Sequence, residues 1–303
     1  MRQHQTAQRV LQVTSPHEAT GMTLLEGPTF DGQGRLHLVD VTAPAGAPKV
    51  MRIDLDTEEI TPLVTEGNGA FTSAQWGPQD GRLYLTDYAS GQIISVTAEG
   101  EDARTVFSGE VEGRAMHPDD LAFDEAGNMF VSDSSPTVYP DAAPTGRVVR
   151  IDAETSAATV LADNQPNPNG ISLDRDGALW ISQLDANRID RLLLNQDRIA
   201  VTTGHTAIHV DGGPSQADSN AIDADGNIYQ ASHGIPRILV YGPDGTHRAT
   251  IDIPAEHEGL ESATNLAIRP GTQKAFVTVS GPAGGFIYRF DALAEGTRQS
   301  NGG

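Results

Sequence analysis

Residues 26–40, EGPTFDGQGRLHLVD, begin with a polar residue, run through a short apolar segment, turn at a glycine and continue as an alternating strand. The same order recurs in SAQWGPQDGRLYLTD (73–87), DDLAFDEAGNMFVSD (119–133), NGISLDRDGALWISQ (169–183) and DSNAIDADGNIYQAS (218–232). A looser sixth copy, TNLAIRPGTQKAFVTV (264–279), carries one extra turn residue. Alternation with period two marks half-buried strands, and the Asp- and Gly-bearing stretches between them mark turns. In the first five copies the leading polar residue precedes the turn glycine by eight positions: Glu26, Ser73, Asp119, Asn169 and Asp218 pair with Gly34, Gly81, Gly127, Gly177 and Gly226. In the sixth the leading residue is Thr264 or Asn265.

These anchors stand 47, 46, 50 and 49 residues apart, and 46 or 47 for the last step. A period of that length, filled with short strands, predicts an all-β, six-bladed β-propeller with four-stranded blades around a central channel. Blade one is expected to place its strands at 27–31, 35–41, 49–55 and 60–64. The last copy ends after its third strand, GFIYRF (285–290), so QRVLQVT (8–14) is expected to supply the missing outer strand. The repeat is continuous and predicts one domain over 1–303, with 294–303 as a disordered tail.

In a propeller the first strand of each blade lines the channel. The anchors would therefore form a ring of oxygen-bearing side chains at one end of the axis. Taken singly, Asp, Asn and Ser at such positions are ordinary turn-capping residues. Taken together, converging carboxylates repel one another unless they are protonated or share a cation. Their oxygens suit Ca²⁺ or Mg²⁺, and Ca²⁺ best. The loops expected over the same mouth carry Phe71, Met116 and Tyr139 as apolar walls. They also carry five histidines, of which His117 and His233 lie nearest an inner strand.

Composition narrows the partners. The formal net charge is −21, which disfavours nucleic acid and anionic membranes. No apolar run approaches the ~20 residues of a membrane span. The opening residues lack the apolar core of a signal peptide. Cysteine is absent, which removes thiol nucleophiles and thiolate metal sites and fits a cytoplasmic protein. No GxSxG elbow supports a covalent serine route.

The motifs LLEGPTFDGQGRLHLVDV, PNGISLDRDGALWIS and DSNAIDADGNIY resemble the senescence-marker-protein/gluconolactonase family of six-bladed calcium propellers. The paired Asp in PDDLAFDEAGNMFVSD, and Gly213-Pro214 ahead of Asp218-Ser219, are closest to its drug-responsive, calcium-dependent lactonase branch. The resemblance implies one axial Ca²⁺, or another divalent cation, held by Glu26, Asp119, Asn169 and Asp218 with Ser219 adjacent. It also implies Asp218 as the proton-transfer residue. Ser73, Phe71, Met116, His117, Tyr139 and His233 are the candidate substrate contacts. That branch carries a second calcium site just before the paired Asp; here Val111, Arg114 and Met116 stand at its positions, so the second ion is not expected in that form. The expected reaction is hydrolysis of a small-molecule lactone, of a less polar aliphatic or aromatic kind. The alternatives are an organophosphate triesterase on the same ring, or a non-catalytic calcium-stabilised binding module. Retention of Glu26, Asn169 and Asp218 together speaks against a metal-free condensing enzyme.

Overall fold

The computed structural model describes residues 2–134, 143–211, 215–254 and 259–297. The chain is all-β. Two short strands, β1 (Gln3–Thr6) and β2 (Gln8–Thr14), precede the first sheet, β3 (Leu25–Phe30), β4 (Leu36–Asp40), β5 (Val50–Asp54) and β6 (Glu59–Val64). The second sheet is β7 (Phe71–Trp76), β8 (Leu83–Asp87), β9 (Gln92–Val96) and β10 (Arg104–Phe107). A hairpin, β11 (Glu110–Val111) and β12 (Arg114–Ala115), leads to the third, β13 (Pro118–Phe123), β14 (Met129–Asp133), β15 (Gly146–Ile151) and β16 (Ala158–Gln165). The fourth is β17 (Pro168–Leu173), β18 (Leu179–Gln183), β19 (Arg188–Leu194) and β20 (Val201–His209). The remaining strands are β21 (Gln216–Ile222), β22 (Ile228–His233), β23 (Arg237–Tyr241), β24 (His247–Asp252), β25 (Ser262–Ile268), β26 (Lys274–Gly281) and β27 (Gly284–Asp291).

The first four sheets are separate and antiparallel, each in chain order. The last seven strands, with β1 and β2, form one nine-stranded sheet, whose halves meet only at the pair Ser232–Ala263 between β22 and β25. β2 lies antiparallel along β27 as an outer strand, and β1 adds in parallel to β24. The strands β3, β7, β13, β17, β21 and β25 each lie against the next, and β25 lies against β3, so they close a circle.

Burial follows the radius of that circle. β3, β13 and β25 are buried along nearly all their length, whereas β6 and β10 are half-exposed. The apolar side chains pack between neighbouring sheets: Ile93 with Leu121, Val131 and Val149, and Phe130 with Ile171, Leu179 and Ile181. Each such buried aliphatic stabilises the fold by about 1.5–3 kcal/mol. The turns after the inner strands need a left-handed residue, supplied by Gly127 (φ 89°) in the third sheet and its counterparts in the others.

Residues 294–296, expected in the tail, pack against the turns. Ala294 is buried, Ala224 donates its amide to Glu295 O at 2.8 Å, and Gly296 bridges Asp223 and Pro270. His205 and His209 lie on the exposed outer strand β20, not in a loop over the mouth. No described helix is long and apolar enough to cross a membrane.

Candidate functional site

All six inner strands slip register by one residue against their partners: between Glu26 and Thr29, Phe71 and Ser73, Pro118 and Leu121, Pro168 and Ile171, Ala217 and Asn220, and Ala263 and Asn265. A bulge of this kind bends the strand and re-aims the side chains in it. The bulged residues are Asp119-Asp120, Asn169-Gly170 and Asp218-Ser219 in the third to fifth repeats, and Glu26 stands at the edge of its own. Gly27 and Gly170 permit the inner strands to meet there. A Cβ on either would lie 2.4 Å from a backbone nitrogen of the next strand, Ala74 or Asn220.

The ring residues meet one another. Asn169 Nδ2 donates to Asp119 Oδ2 at 2.9 Å, Ser134 Oγ donates to the same oxygen at 3.0 Å, and Ser219 Oγ donates to Asn169 Oδ1 at 3.4 Å. Burial, then the charges of Asp218, Asp119 and Asp120, hold the Glu26 carboxyl well above the usual range, against a hydrogen bond from Asn265. Asp119 is pushed up to about 8 by burial and by Asp218 and Asp120. Burial also raises Asp218, opposed by His233, whose Nδ1 lies 3.6 Å from Asp218 Oδ2 and 3.2 Å from Ser262 Oγ. His233 is raised in turn, chiefly by its bond to Asp218.

Three carboxylates from three different sheets thus share one field. Glu26 Oε2 is buried with no hydrogen-bond partner among the described residues. Among those residues no three carboxylate or imidazole side chains already stand close enough to hold a metal ion. The donor set nevertheless fits a hard cation: buried carboxylates, an amide oxygen, a hydroxyl and an orphaned Glu26 oxygen, with no nitrogen or sulfur required.

Other candidates are placed differently. Of Thr264 and Asn265, Asn265 reaches Glu26, while Thr264 spends its hydroxyl on Leu25 O at 2.6 Å. Ser73 is fully buried and donates to Asp120 Oδ1 at 2.5 Å, which makes it a support for the paired Asp and not a substrate contact. Phe71 and Met116 do not wall the mouth. Phe71 packs with Val39, Val50 and Leu83, and Met116 with Ile93, Leu121 and Val131, because apolar residues next to an inner strand gain more from the inter-sheet core than from a wet rim. His117 stays near the site, its ring 5.3 Å from that of Tyr88. Tyr88 itself, raised by burial and by Asp119 and Asp133, is a neighbour of the ring that the repeat did not reveal. Tyr139 and the pair Gly213-Pro214 lie outside the described residues.

The segment before the paired Asp is tied by an arginine that holds its backbone carbonyls. Arg147, buried, bonds Asp133 Oδ2 at 2.6 Å and Val111 O at 2.6 Å, and reaches Arg114 O and Ala115 O at 3.4 Å. Glu110 and Glu112 are exposed. A cavity of about 700 Å³ lies among the turns that carry Asp31, Arg35, Trp76 and Arg269, and no ring carboxylate lines it.

The profile of the SMP-30/Gluconolactonase/LRE-like region matches residues 24–281. Lactonase drp35 of Staphylococcus aureus is 30% identical over 284 residues, covering 90% of this chain and 84% of its own. Two solved structures share the fold. A calcium-binding regucalcin from Agrobacterium tumefaciens has a TM-score of 0.75 at 16% identity, covering 98% of this chain and 99% of its own. A gluconolactonase from Xanthomonas campestris has a TM-score of 0.72 at 19% identity, covering 96% and 99%.

Proposed function

The chain belongs to the SMP-30/gluconolactonase/LRE-like family, and from that premise we propose that it is a calcium-dependent lactonase built on a six-bladed propeller. The single Ser232–Ala263 bridge supports counting the nine-stranded sheet as two blades, and the closed circle of inner strands supports a ring of six. The observation that carries the function is the convergence of Glu26, Asp119 and Asp218, from three sheets, on one field beside Asn169 and His233. The 30% identity to a lactonase along nearly the whole chain supports the substrate class.

Glu26, Asp119, Asn169 and Asp218, with Ser219 adjacent, would hold the ion, which supplies a Lewis acid for the ester carbonyl and a counter-charge for the developing oxyanion. Asp218 takes a proton from water as the water oxygen bonds to the carbonyl carbon. When the tetrahedral oxyanion collapses, the ring C–O bond breaks and the departing alkoxide receives that proton, leaving a hydroxy acid. His233, half-exposed beside Asp218, orients the carboxylate and connects it to solvent. The tilted pair of Tyr88 and His117 forms a flat, weakly polar wall near Asp119, which favours lactones with an aliphatic or aromatic substituent.

The test is a rate comparison across sugar, aliphatic and aromatic lactones and organophosphate triesters, before and after exhaustive chelation. Aromatic or aliphatic lactones should turn over fastest, fall to background on chelation and recover with added calcium. Undiminished lactone hydrolysis after chelation would refute the metal role, and faster triester hydrolysis would move the assignment to the triesterase.

A further inference from the structure

The fifth inner strand carries a buried chain built on two primary amides, where the first, second and sixth sheets pair Thr29 with His37, Ser73 with Thr86 and Asn265 with Thr278, and the third and fourth carry aliphatic pairs. Immediately after the bulge, the first cross-strand pair is Leu121–Val131 in the third sheet and Ile171–Ile181 in the fourth. At the corresponding place β21 and β22 pair Asn220 with Gln230. Both amides are fully buried, as are Ser172 and Ser182 beside them. Ser172 Oγ donates to Asn220 Oδ1, Asn220 Nδ2 donates to Ser182 Oγ at 2.7 Å, and Ser182 Oγ donates to Gln230 Oε1 at 2.7 Å. The chain ends where Gln230 Nε2 donates to Asp218 O at 2.8 Å, Ser219 O at 3.2 Å and Ala231 O at 2.8 Å.

Two sister sheets show that an aliphatic pair fills this place and supports the same bulge. Burying two primary amides there gains nothing over two aliphatics and requires every polar atom to be bonded. What an aliphatic pair cannot do is hold the carbonyls of the bulged residues. In the third sheet, Thr72 and Thr86 grip Asp119 O from the neighbouring sheet, at 2.9 and 2.6 Å. In the fifth, one amide grips both Asp218 and Ser219 from within its own sheet.

We infer that Gln230, oriented through Ser182 by Asn220, is a positioning residue that fixes the bulge bearing Asp218 and Ser219, and with it the aim of both side chains into the ring. This rests on the reading of Asp218 and Ser219 as site residues. Gln230 touches neither substrate nor ion.

The double variant Asn220→Ile, Gln230→Ile gives the fifth sheet the pair of the fourth. It should fold with a lowered melting temperature, because the buried Ser182 hydroxyl loses both amide partners. Its calcium affinity, by calorimetric titration, should fall about tenfold or more, and kcat on the best lactone should fall by a similar factor with KM within about twofold. Parent-like calcium affinity and kcat in the folded double variant would overturn the inference. If that variant does not fold, Ser182→Ala keeps both amides and only unlinks them. A fall of about threefold in kcat is then expected, and none would overturn the inference. Absence of calcium binding in the parent would refute the metal reading alone, since the kcat comparison still judges the amide pair.

Discussion

The two ends of β13 carry the same residue type in opposite circumstances. At its start, Asp119 sits in a bulge, faces Asp218 and Asp120, and is pushed up to about 8. Just past its other end, Asp124 is buried more fully but folds back onto its own turn, where Asn128 donates its backbone amide and its Nδ2, both at 2.9 Å, and Arg198 lies 3.3 Å away. The pattern repeats around the molecule. Asp174 accepts from Asp176, Ala178 and Trp180, and Asp223 from Asp225, Asn227 and Tyr229. At Asp31, burial raises the carboxyl, but bonds from the Arg35 amide and guanidinium more than offset it and leave it lowered. Turn-end carboxylates are satisfied locally. Bulge-end carboxylates draw their donors from other sheets, face one another's charge and leave Glu26 Oε2 without a partner among the described residues, and on the proposed function that contrast separates structural from functional carboxylates.

The sharpest way to break the contrast is at Asp218. Asp218→Asn should keep the fold and lose about a thousandfold in kcat, the loss expected for a proton-transfer residue. Near-parental turnover in a folded Asp218→Asn would remove it from the chemistry. Asp119→Asn should follow, with calcium affinity reduced about ten- to hundredfold in a titration of the purified protein. An unchanged dissociation constant would place Asp119 outside the ion's reach.

The register of anchors was legible in the sequence because the period recurs six times and five copies keep a fixed eight-residue offset through every loop difference. It located Glu26, Asp119, Asn169 and Asp218 without coordinates. The bulges were not legible, since one unpaired residue looks the same in sequence as a strand that starts one position later; strand 27–31 was expected where β3 occupies Leu25–Phe30. Asn220 has no role readable from the sequence for that reason, as its partner Gln230 is fixed only once the slip is known. Phe71 and Met116 failed differently. An apolar residue in a loop carries no mark of whether it faces a mouth or the neighbouring sheet. Tyr88, which does lie near Asp119, stands seven residues after its turn glycine, the place held by Ser134 and His233 in the third and fifth repeats, but no residue type recurs there to mark it.

The turn end has its own titration. His37, fully buried with its ring edge-on to Trp76 at 5.0 Å, is lowered to about 4 by burial, partly opposed by Asp31. A histidine whose pKa falls on folding contributes stability that is fully present above the unfolded value near 6.5. That contribution is lost as pH drops toward 4, because the unfolded chain takes up the proton first. The loss should reach about 2 kcal/mol by pH 5. In urea unfolding at pH 7 and pH 5, the His37→Leu variant should therefore show a smaller pH dependence than the parent. Equal slopes would mean that His37 is protonated in the folded protein and that this end is more open to water than its burial indicates.

The smallest expected effect completes the comparison. Asp124→Asn preserves the size of the side chain and one acceptor oxygen for the Asn128 amide, and it gives up the second bond and the attraction to Arg198. The cost should be about 1 kcal/mol of stability, measured by urea unfolding, because a buried turn bond is weakened but no charge is stranded. Activity and calcium affinity should stay within about twofold of the parent. Asp119 and Asp124 lie five residues apart, one in β13 and one just past its end, so a general loosening of β13 would affect both variants alike. A metal-affinity loss in Asp124→Asn comparable to that in Asp119→Asn would mean that the strand transmits strain along its length. The division between a bulge end that serves the ion and a turn end that serves the fold would then fail.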